Sequence, residues 1–191
     1  MADQKPKIEK CARPVKTPTI LQMEGVECGA ASLAIILGYH GKHVPLEKLR
    51  VLCGVSRDGL KATNIMQAAR TLGMKAKGYS KSIANLKKMQ TPCIVFWNFN
   101  HFLVLEGFTK KRVYLSDPAQ GRYYVSHEEF DDALTGVVMT FEPGPEFEKG
   151  NEKTGLIPAL GSRISNSKLS VVFIVLTSLF LVIPGLRLGL S

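Results

Sequence analysis

The 191-residue sequence lacks several patterns that would assign it to a common class. Its four cysteines form no C-x-x-C pair, which excludes the spacing of a zinc ribbon. Residues 1–20 carry charge and proline but no apolar run of the kind a secretory signal needs, so the chain is expected to begin in the cytoplasm, where disulfides are rare. No G-x-x-x-x-G-K-[ST] phosphate loop occurs, so ATP binding through such a loop is not expected.

What is present indicates one packed domain with a short addition. Hydrophobic residues make up 45% of the chain and charged residues 21%, which suits a folded core and not a disordered tail. The formal net charge of +9 is uneven, with +11 over residues 42–112 and −7 over residues 117–152. Basic charge suggests an acidic partner, but the zinc-finger, RNP or interleaved aromatic patterns of a nucleic-acid binder are missing, so no nucleic-acid partner is expected.

The C-terminal part contains an apolar run at 169–186, about eighteen uncharged residues, with basic residues before it. This length and flank predict the start of a membrane-spanning helix, with the preceding domain on the cytoplasmic side. The alternative is a buried core helix. The polar segment before the run, rich in Pro and Gly, is typical of a linker. The predicted organisation is an N-terminal extension, a folded domain, a linker and the beginning of a membrane helix, at 1–15, 16–145, 146–167 and 168–191.

Hydrophobic periodicity predicts helices first and strands afterwards. Helices are expected at Cys28–Tyr39, Leu46–Cys53 and 63–72, with a short acidic helix entered at His127. Strands are expected at 92–97, 101–108, 112–116, 122–125 and 137–141. Because the strands are joined by short turns, they favour an antiparallel meander, and the predicted class is α+β, a helical half packed on an antiparallel sheet.

Cys28 stands at the first turn of the predicted buried helix. There the free backbone N–H groups and the positive end of the helix dipole stabilise a thiolate. The alternative is one more small apolar core residue, which is how Cys53 and Cys93 are interpreted, while Cys11 lies in a charged leading segment.

A histidine and a carboxylate are expected to meet near one end of a predicted hairpin. If its turn is centred on Thr109 and Lys110, His101 lies opposite Asp117 or Pro118. A carboxylate that accepts from one imidazole nitrogen leaves the other free to take a proton from a nucleophile.

Gln22 lies six residues before Cys28, close enough to help the Cys28 backbone N–H hold a developing oxyanion. The other histidines have no predicted role in the chemistry: His40 and His43 are expected at the surface, and His127 at a helix entry.

The segments TPTILQMEGVECGAASLAIILGY, VPLEKLRVLCGVSRDGLKATNIMQAARTLGMKAKGY, NFNHFLVL and YLSDPAQG together resemble the N-terminal peptidase domain of bacteriocin-exporting ABC transporters. The resemblance is closer to the subgroup serving precursors with nitrile-hydratase-like leaders, many of them lanthipeptide precursors. It implies a papain-like fold and cleavage of a leader after a double-glycine-type site (Gly-Gly, Gly-Ala or Gly-Ser). By motif it assigns Cys28 as nucleophile, Gln22 as oxyanion donor, His101 as base and Asp117 as its orienter.

The resemblance also implies the surroundings of the domain. The partner is a precursor peptide with an amphipathic helical leader, and the domain is held on the cytoplasmic side of the cell membrane through the apolar segment. No metal or cofactor is expected in this chain, since ATP and Mg belong to a longer parent transporter, expected to be a homodimer. The alternative is a catalytically idle domain that only binds leader peptides, as in exporters that keep the fold without the nucleophile.

Overall fold

A computed structural model describes residues 14–57, 59–80, 83–151, 172–173 and 176–178. The chain divides into two compact units, residues 1–152 and 153–191. Among the described residues, no helix is long and apolar enough to cross a membrane. Most of the predicted membrane segment, of the linker and of the N-terminal extension lies outside the described residues, so those boundaries stay predictions.

Five helices are described in the first unit: α1 Cys28–Tyr39, α2 Leu46–Cys53, α3 Ala62–Thr71, α4 Ile83–Leu86 and α5 His127–Ala133. The first three confirm the sequence prediction to within one residue at each end. Helix α1 is buried without interruption from Cys28 to Leu37, as expected of a helix that has no polar face. Ser126 caps α5 by accepting a hydrogen bond from the Glu129 backbone N–H at 3.0 Å.

The main sheet has six antiparallel strands, β2 Met74–Ser80, β3 Cys93–Trp97, β4 His101–Phe108, β5 Val113–Asp117, β6 Gly121–Val125 and β7 Leu134–Pro143. A separate parallel pair joins β1 Lys42–His43 to β8 Gly150–Asn151. The strand order is β2-β7-β3-β4-β5-β6, so the predicted meander holds for β3 to β6. It does not hold for β7, which returns to pair with β3 on its other side.

Strand β2 was not predicted. Only Met74 and Ala76 point into the core, lysines alternate with them, and the remainder of the strand is exposed at the edge of the sheet. Such an edge strand has a weak apolar pattern, because its pairing with β7 supplies the stability that its side chains do not.

The sheet buries both of its faces. Helices α1, α2 and α3 pack on one face, in a core that includes Leu33, Ile36 and Ile94. The other face forms a second core around Val95 and Phe130, the latter from α5. The predicted arrangement, a helical half packed on an antiparallel sheet, is confirmed, and the second core is an addition that the sequence analysis did not foresee.

Candidate active site

Cys28 is the first residue of α1 and follows a single 3-10 turn, Gly25–Glu27. Only 6% of its surface is exposed. The helix is fixed on the sheet nearby, because the Ser32 hydroxyl, one turn further on, donates to the Phe102 carbonyl at 3.1 Å. Phe102 directly follows His101 in β4. The bond therefore fixes the position of helix α1, and with it the Cys28 thiol, relative to His101.

His101 is the first residue of β4 and Asp117 the last of β5, so both lie at one end of the β4–β5 hairpin. The His101 Nε2 atom is 2.7 Å from Asp117 Oδ1. The predicted meeting of these two side chains is therefore present in the structure, and Nδ1 of the ring remains for the thiol.

The predicted register of this hairpin was wrong by about two residues. The ladder pairs Val104 with Ser116 and Phe108 with Val113, with a β-bulge at Glu106 and a four-residue turn at 109–112. The turn is closed by the Thr109 N–H, which donates to the Arg112 carbonyl at 2.8 Å. His101 consequently lies beyond the last paired position, and its side chain reaches Asp117 across the open end of the hairpin.

The Asp117 carboxylate is almost fully buried and accepts three hydrogen bonds. Besides His101, the Ala119 N–H donates to Oδ1 at 2.7 Å and the Gln120 side chain to Oδ2 at 3.1 Å. Burial alone would raise the pKa of Asp117, but these bonds, led by the one from His101, lower it overall. Asp117 is thus held as a carboxylate that faces the imidazole.

Opposite pKa shifts on His101 and Cys28 favour an ion pair. The hydrogen bond to Asp117, followed by one to Cys28, raises the pKa of His101 from 6.5 to about 9. Burial by itself would raise the pKa of the Cys28 thiol, but hydrogen bonds from His101 and the Phe102 backbone, with the charge of His101, lower it. A thiolate beside an imidazolium is the form of cysteine that attacks a carbonyl carbon.

Gln22 is brought to the Asp117 side of the site. Its backbone N–H donates to the Pro118 carbonyl at 2.8 Å. Its side-chain Oε1 is buried and has no hydrogen-bond partner among the described residues. The position next to the proposed triad agrees with the sequence analysis, and its role toward an oxyanion stays a prediction.

A cleft of about 380 Å³ opens over Cys28. It is lined mainly by small and apolar residues from the loop before α1, the segment before α3 and the ends of β3 and β4: Gly25, Val26, Cys28, Arg57, Gly59, Leu60, Phe96, Phe99, Asn100 and Phe102. Phe99 is 80% exposed at this cleft, and it and Asn98 have left-handed backbone, with φ of 58° and 46°. Apart from Cys28, the lining residues were not identified from the sequence. A turn signal in N-F-N before His101 was the available hint, because asparagine tolerates that conformation.

The remaining described cysteines and histidines have surroundings that differ from those of Cys28 and His101. Burial raises the pKa of Cys53 to about 11 and that of Cys93 to about 12, which suits protonated core thiols as predicted. Cys11 lies outside the described residues. His127 does begin α5, and its Nε2 is 2.9 Å from the Thr109 carbonyl. His43 is exposed as expected, whereas His40 is half-buried with its Nε2 enclosed, because its ring packs against Phe147.

Helices packed on an antiparallel sheet are the arrangement of a papain-like fold, and the thiol, imidazole and carboxylate near each other are groups that a cysteine peptidase can use as nucleophile, base and orienter. Residues 16–146 match the model of the Peptidase C39 family, and the chain belongs to this family of cysteine peptidases.

One curated relative and one solved structure are similar to this chain over most of its length. The colicin V secretion/processing ATP-binding protein CvaB of Escherichia coli is 39% identical over 139 residues, which are 73% of this chain and 20% of that protein. The crystal structure of a double glycine motif protease from an AMS/PCAT transporter, in complex with the leader peptide, is 54% identical with a TM-score of 0.67. That match covers 68% of this chain and 94% of the other. The chain spans about a fifth of the length of the curated relatives it matches first.

The peptidase domain of Streptococcus ComA, a bi-functional ABC transporter, is 23% identical with a TM-score of 0.62, over 65% of this chain and 96% of that one. At this identity the likeness shows the fold, with helices packed on an antiparallel sheet.

Proposed function

We propose that this chain is a cysteine endopeptidase that removes the leader from a precursor peptide by cutting after a double-glycine-type site. The observation that carries the proposal is the hydrogen bond of His101 to Asp117 at 2.7 Å beside Cys28, whose pKa His101 lowers, at the base of the cleft. The relatives support the substrate class, because one is a double glycine motif protease in complex with a leader peptide and another a secretion/processing protein.

In the proposed reaction the Cys28 thiolate attacks the carbonyl carbon of the second small residue of the site. The electrons of the C=O bond move to oxygen, and the Gln22 side chain and the Cys28 backbone N–H stabilise that oxyanion. When it collapses, the C–N bond breaks and imidazolium His101 gives its proton to the leaving amine, so that a thioester forms. His101 then takes a proton from water, which attacks the thioester and releases the leader as an acid, restoring the thiolate and imidazolium.

Asp117 acts through His101. Its carboxylate pairs with Nε2 and so leaves Nδ1 for the thiol, and it stabilises the imidazolium that must persist until the amine leaves. Burial of the carboxylate strengthens this attraction, because few water molecules screen it.

The shape of the cleft supports small residues before the cut. Gly25 and Gly59 line it on the helical side and the rings of Phe96 and Phe102 on the strand side. We infer that a branched side chain next to the attacked carbonyl would meet these rings, whereas glycine or alanine would not. Specificity for small residues is thus a steric property of the walls.

We further propose the subgroup and the setting. The subgroup is the one that the sequence motifs resemble, which serves nitrile-hydratase-like leaders, including lanthipeptide precursors, and the 54% identity to a protease of an AMS/PCAT transporter supports a transporter setting. In a longer parent, a homodimeric exporter that uses ATP and Mg, the domain would lie on the cytoplasmic side of the cell membrane. The apolar run at 169–186, which follows the domain in sequence, would hold it there. The basic charge of residues 42–112 would attract acidic leaders.

The test is incubation of the full chain with a double-glycine precursor and identification of the products by mass spectrometry. Cys28→Ala should abolish cleavage and keep leader binding, because the thiolate supplies the attacking electrons and does not contribute to the affinity for the leader. Cys53→Ala is the matched control, since it removes another buried thiol whose pKa is raised and should cleave normally. Leader binding by the wild-type chain without any cleavage would instead identify the idle binding domain.

A further inference from the structure

A buried carboxylate directly before Cys28 takes no part in the proposed reaction. Glu27 is fully buried, and its Oε1 lies 2.7 Å from Nε of Arg50 in α2. Its Oε2 accepts from the backbone N–H groups of Met23 at 3.1 Å and Glu24 at 3.3 Å. Because a buried carboxylate is costly unless it is paired, an ion pair at one oxygen and two backbone donors at the other indicate a specific task.

The contacts of Glu27 and Arg50 fix the loop between Gln22 and Cys28. Arg50 also reaches the Glu24 carboxylate at 3.0 Å, so one guanidinium holds two side chains of the loop to α2. At its other end the loop is tied to the sheet by the bond from Gln22 N–H to Pro118. The loop is therefore anchored to the helical half at one end and to the strand half at the other.

The two ends of this loop are also the two proposed oxyanion donors. The Gln22 side chain and the Cys28 N–H must both point at one oxygen, and their separation depends on the course of the residues between them. Misplacement of such groups by about 1 Å can lower a rate about 10²-fold.

We propose that Glu27 and Arg50 are positioning residues that hold Gln22 and the Cys28 N–H in the geometry that binds the oxyanion. This rests on the function proposed above. Neither side chain touches the reacting atoms: Arg50 acts through Glu27, and Glu27 acts through the backbone of the loop.

The informative variant is Glu27→Gln combined with Arg50→Met. Arg50→Met alone would leave a buried carboxylate unpaired and endanger folding. The double variant removes both charges and keeps an oxygen at position 27 for the Met23 and Glu24 N–H groups, so the connection to α2 is what it chiefly loses. We expect kcat for the precursor to fall about 10- to 100-fold with KM changed less than about twofold. The single variant Arg50→Lys keeps both Glu27 and a cation, so its kcat should lie within about fivefold of the wild-type kcat.

Among the residues that the structure describes, a second buried glutamate with an arginine partner offers a matched control. Glu106 is fully buried and ion-paired with Arg122, and the side-chain exposures of the two pairs are the same, 0% for Glu and 35% for Arg. Glu106 accepts from the Thr17 N–H and hydroxyl and so holds the N-terminal segment to the sheet. Glu106→Gln with Arg122→Met should leave kcat within about twofold of wild type, because that pair lies outside the loop.

Two inhibitors separate an oxyanion defect from a thiol defect. Iodoacetamide reacts with the thiolate by displacement and forms no oxyanion, so its rate at Cys28, followed by mass mapping, should be unchanged in the Glu27/Arg50 variant. A leader-peptide aldehyde ending in Gly-Gly forms a tetrahedral adduct, so its Ki should rise by the factor by which kcat/KM falls.

Wild-type kcat in the Glu27/Arg50 variant would overturn the proposal. A parallel loss of cleavage, alkylation rate and thermal stability would also overturn it, because the pair would then only maintain the fold. Failure of the underlying function is distinguishable from both, since the wild-type chain would then not cleave a double-glycine precursor at all.

Discussion

Replacing Asp117 by asparagine tests the ion pair between Cys28 and His101. The hydrogen bond to Asp117 is the largest contribution to the raised pKa of His101, which moves from 6.5 to about 9. At about 1.4 kcal/mol for each pKa unit, this difference represents a net of about 3 kcal/mol in favour of the imidazolium, after burial has opposed the contributions of Asp117 and Cys28. Asparagine keeps an oxygen that can accept from His101 and from the Ala119 N–H, so the fold should persist while the charge is lost.

The sign of the effect follows from which protonation states are active. Cleavage needs Cys28 as thiolate and His101 as imidazolium, so kcat/KM should rise as the thiol ionises and fall as pH passes the His101 pKa of about 9. In Asp117→Asn the upper limb should move down by about 1 to 3 pH units, the usual effect of losing an opposite charge. The lower limb should move up, because a less stable imidazolium supports the thiolate less.

The assay is kcat/KM for a leader substrate between about pH 5 and 10, with the iodoacetamide rate at Cys28 as an independent measure of the thiolate. Asp131→Asn, an exposed carboxylate in α5, is the control and should leave both limbs in place. An unchanged upper limb in Asp117→Asn would refute the assignment of Asp117, and the pKa of His101 would need another cause.

The other predictions concern the oxyanion, the substrate and the fold. Gln22→Ala should lower kcat by about 10² to 10³, the scale of one oxyanion donor, and a wild-type kcat would remove Gln22 from the mechanism. Replacing either glycine of the precursor site by Val should stop processing, as measured by mass spectrometry, and normal cleavage would show a wider cleft. Gly73→Ala should lower the free energy of unfolding in urea by about 1–3 kcal/mol or more, because Gly73 has φ of 88° and an added Cβ would lie 2.6 Å from the Glu146 carbonyl oxygen. Unaltered stability of that variant would contradict the backbone conformation.

Local signals account for the elements that the sequence predicted well. Helix α1 has apolar or small residues on every side, which only a central helix tolerates, and strands β3 to β6 alternate with recognisable turns. Strand β2 and the place of β7 depend instead on pairing between distant segments. A lysine-rich strand such as β2 becomes recognisable only when its partner is known.

The site residues also divide into those that local sequence features predict and those that depend on contacts between distant segments. A helix-start Cys28 and a hairpin joining His101 to Asp117 are local features, so sequence reasoning found them. The register failed first at the turn, which spans residues 109–112 and is not centred on Thr109 and Lys110. A bulge then shifts the pairing by one position: Glu106 occupies it, and its carboxylate turns inward to bind Thr17 and Arg122. Periodicity treats such a residue as an interruption and gives no warning that the strand gains one position there.

Glu106 and Glu27 together indicate how an acidic residue in an apolar segment could be used to predict contacts in this domain from its sequence. Each is an acidic residue next to strongly apolar sequence, and each is fully buried with an arginine that lies far away along the chain. Burial without a partner would cost several kcal/mol, so the sequence could not keep such residues in place unless the fold supplied a cation. An isolated acidic residue in an apolar context therefore predicts a distant basic partner, and in Glu27 that requirement links helix α2 to the loop that carries the nucleophile.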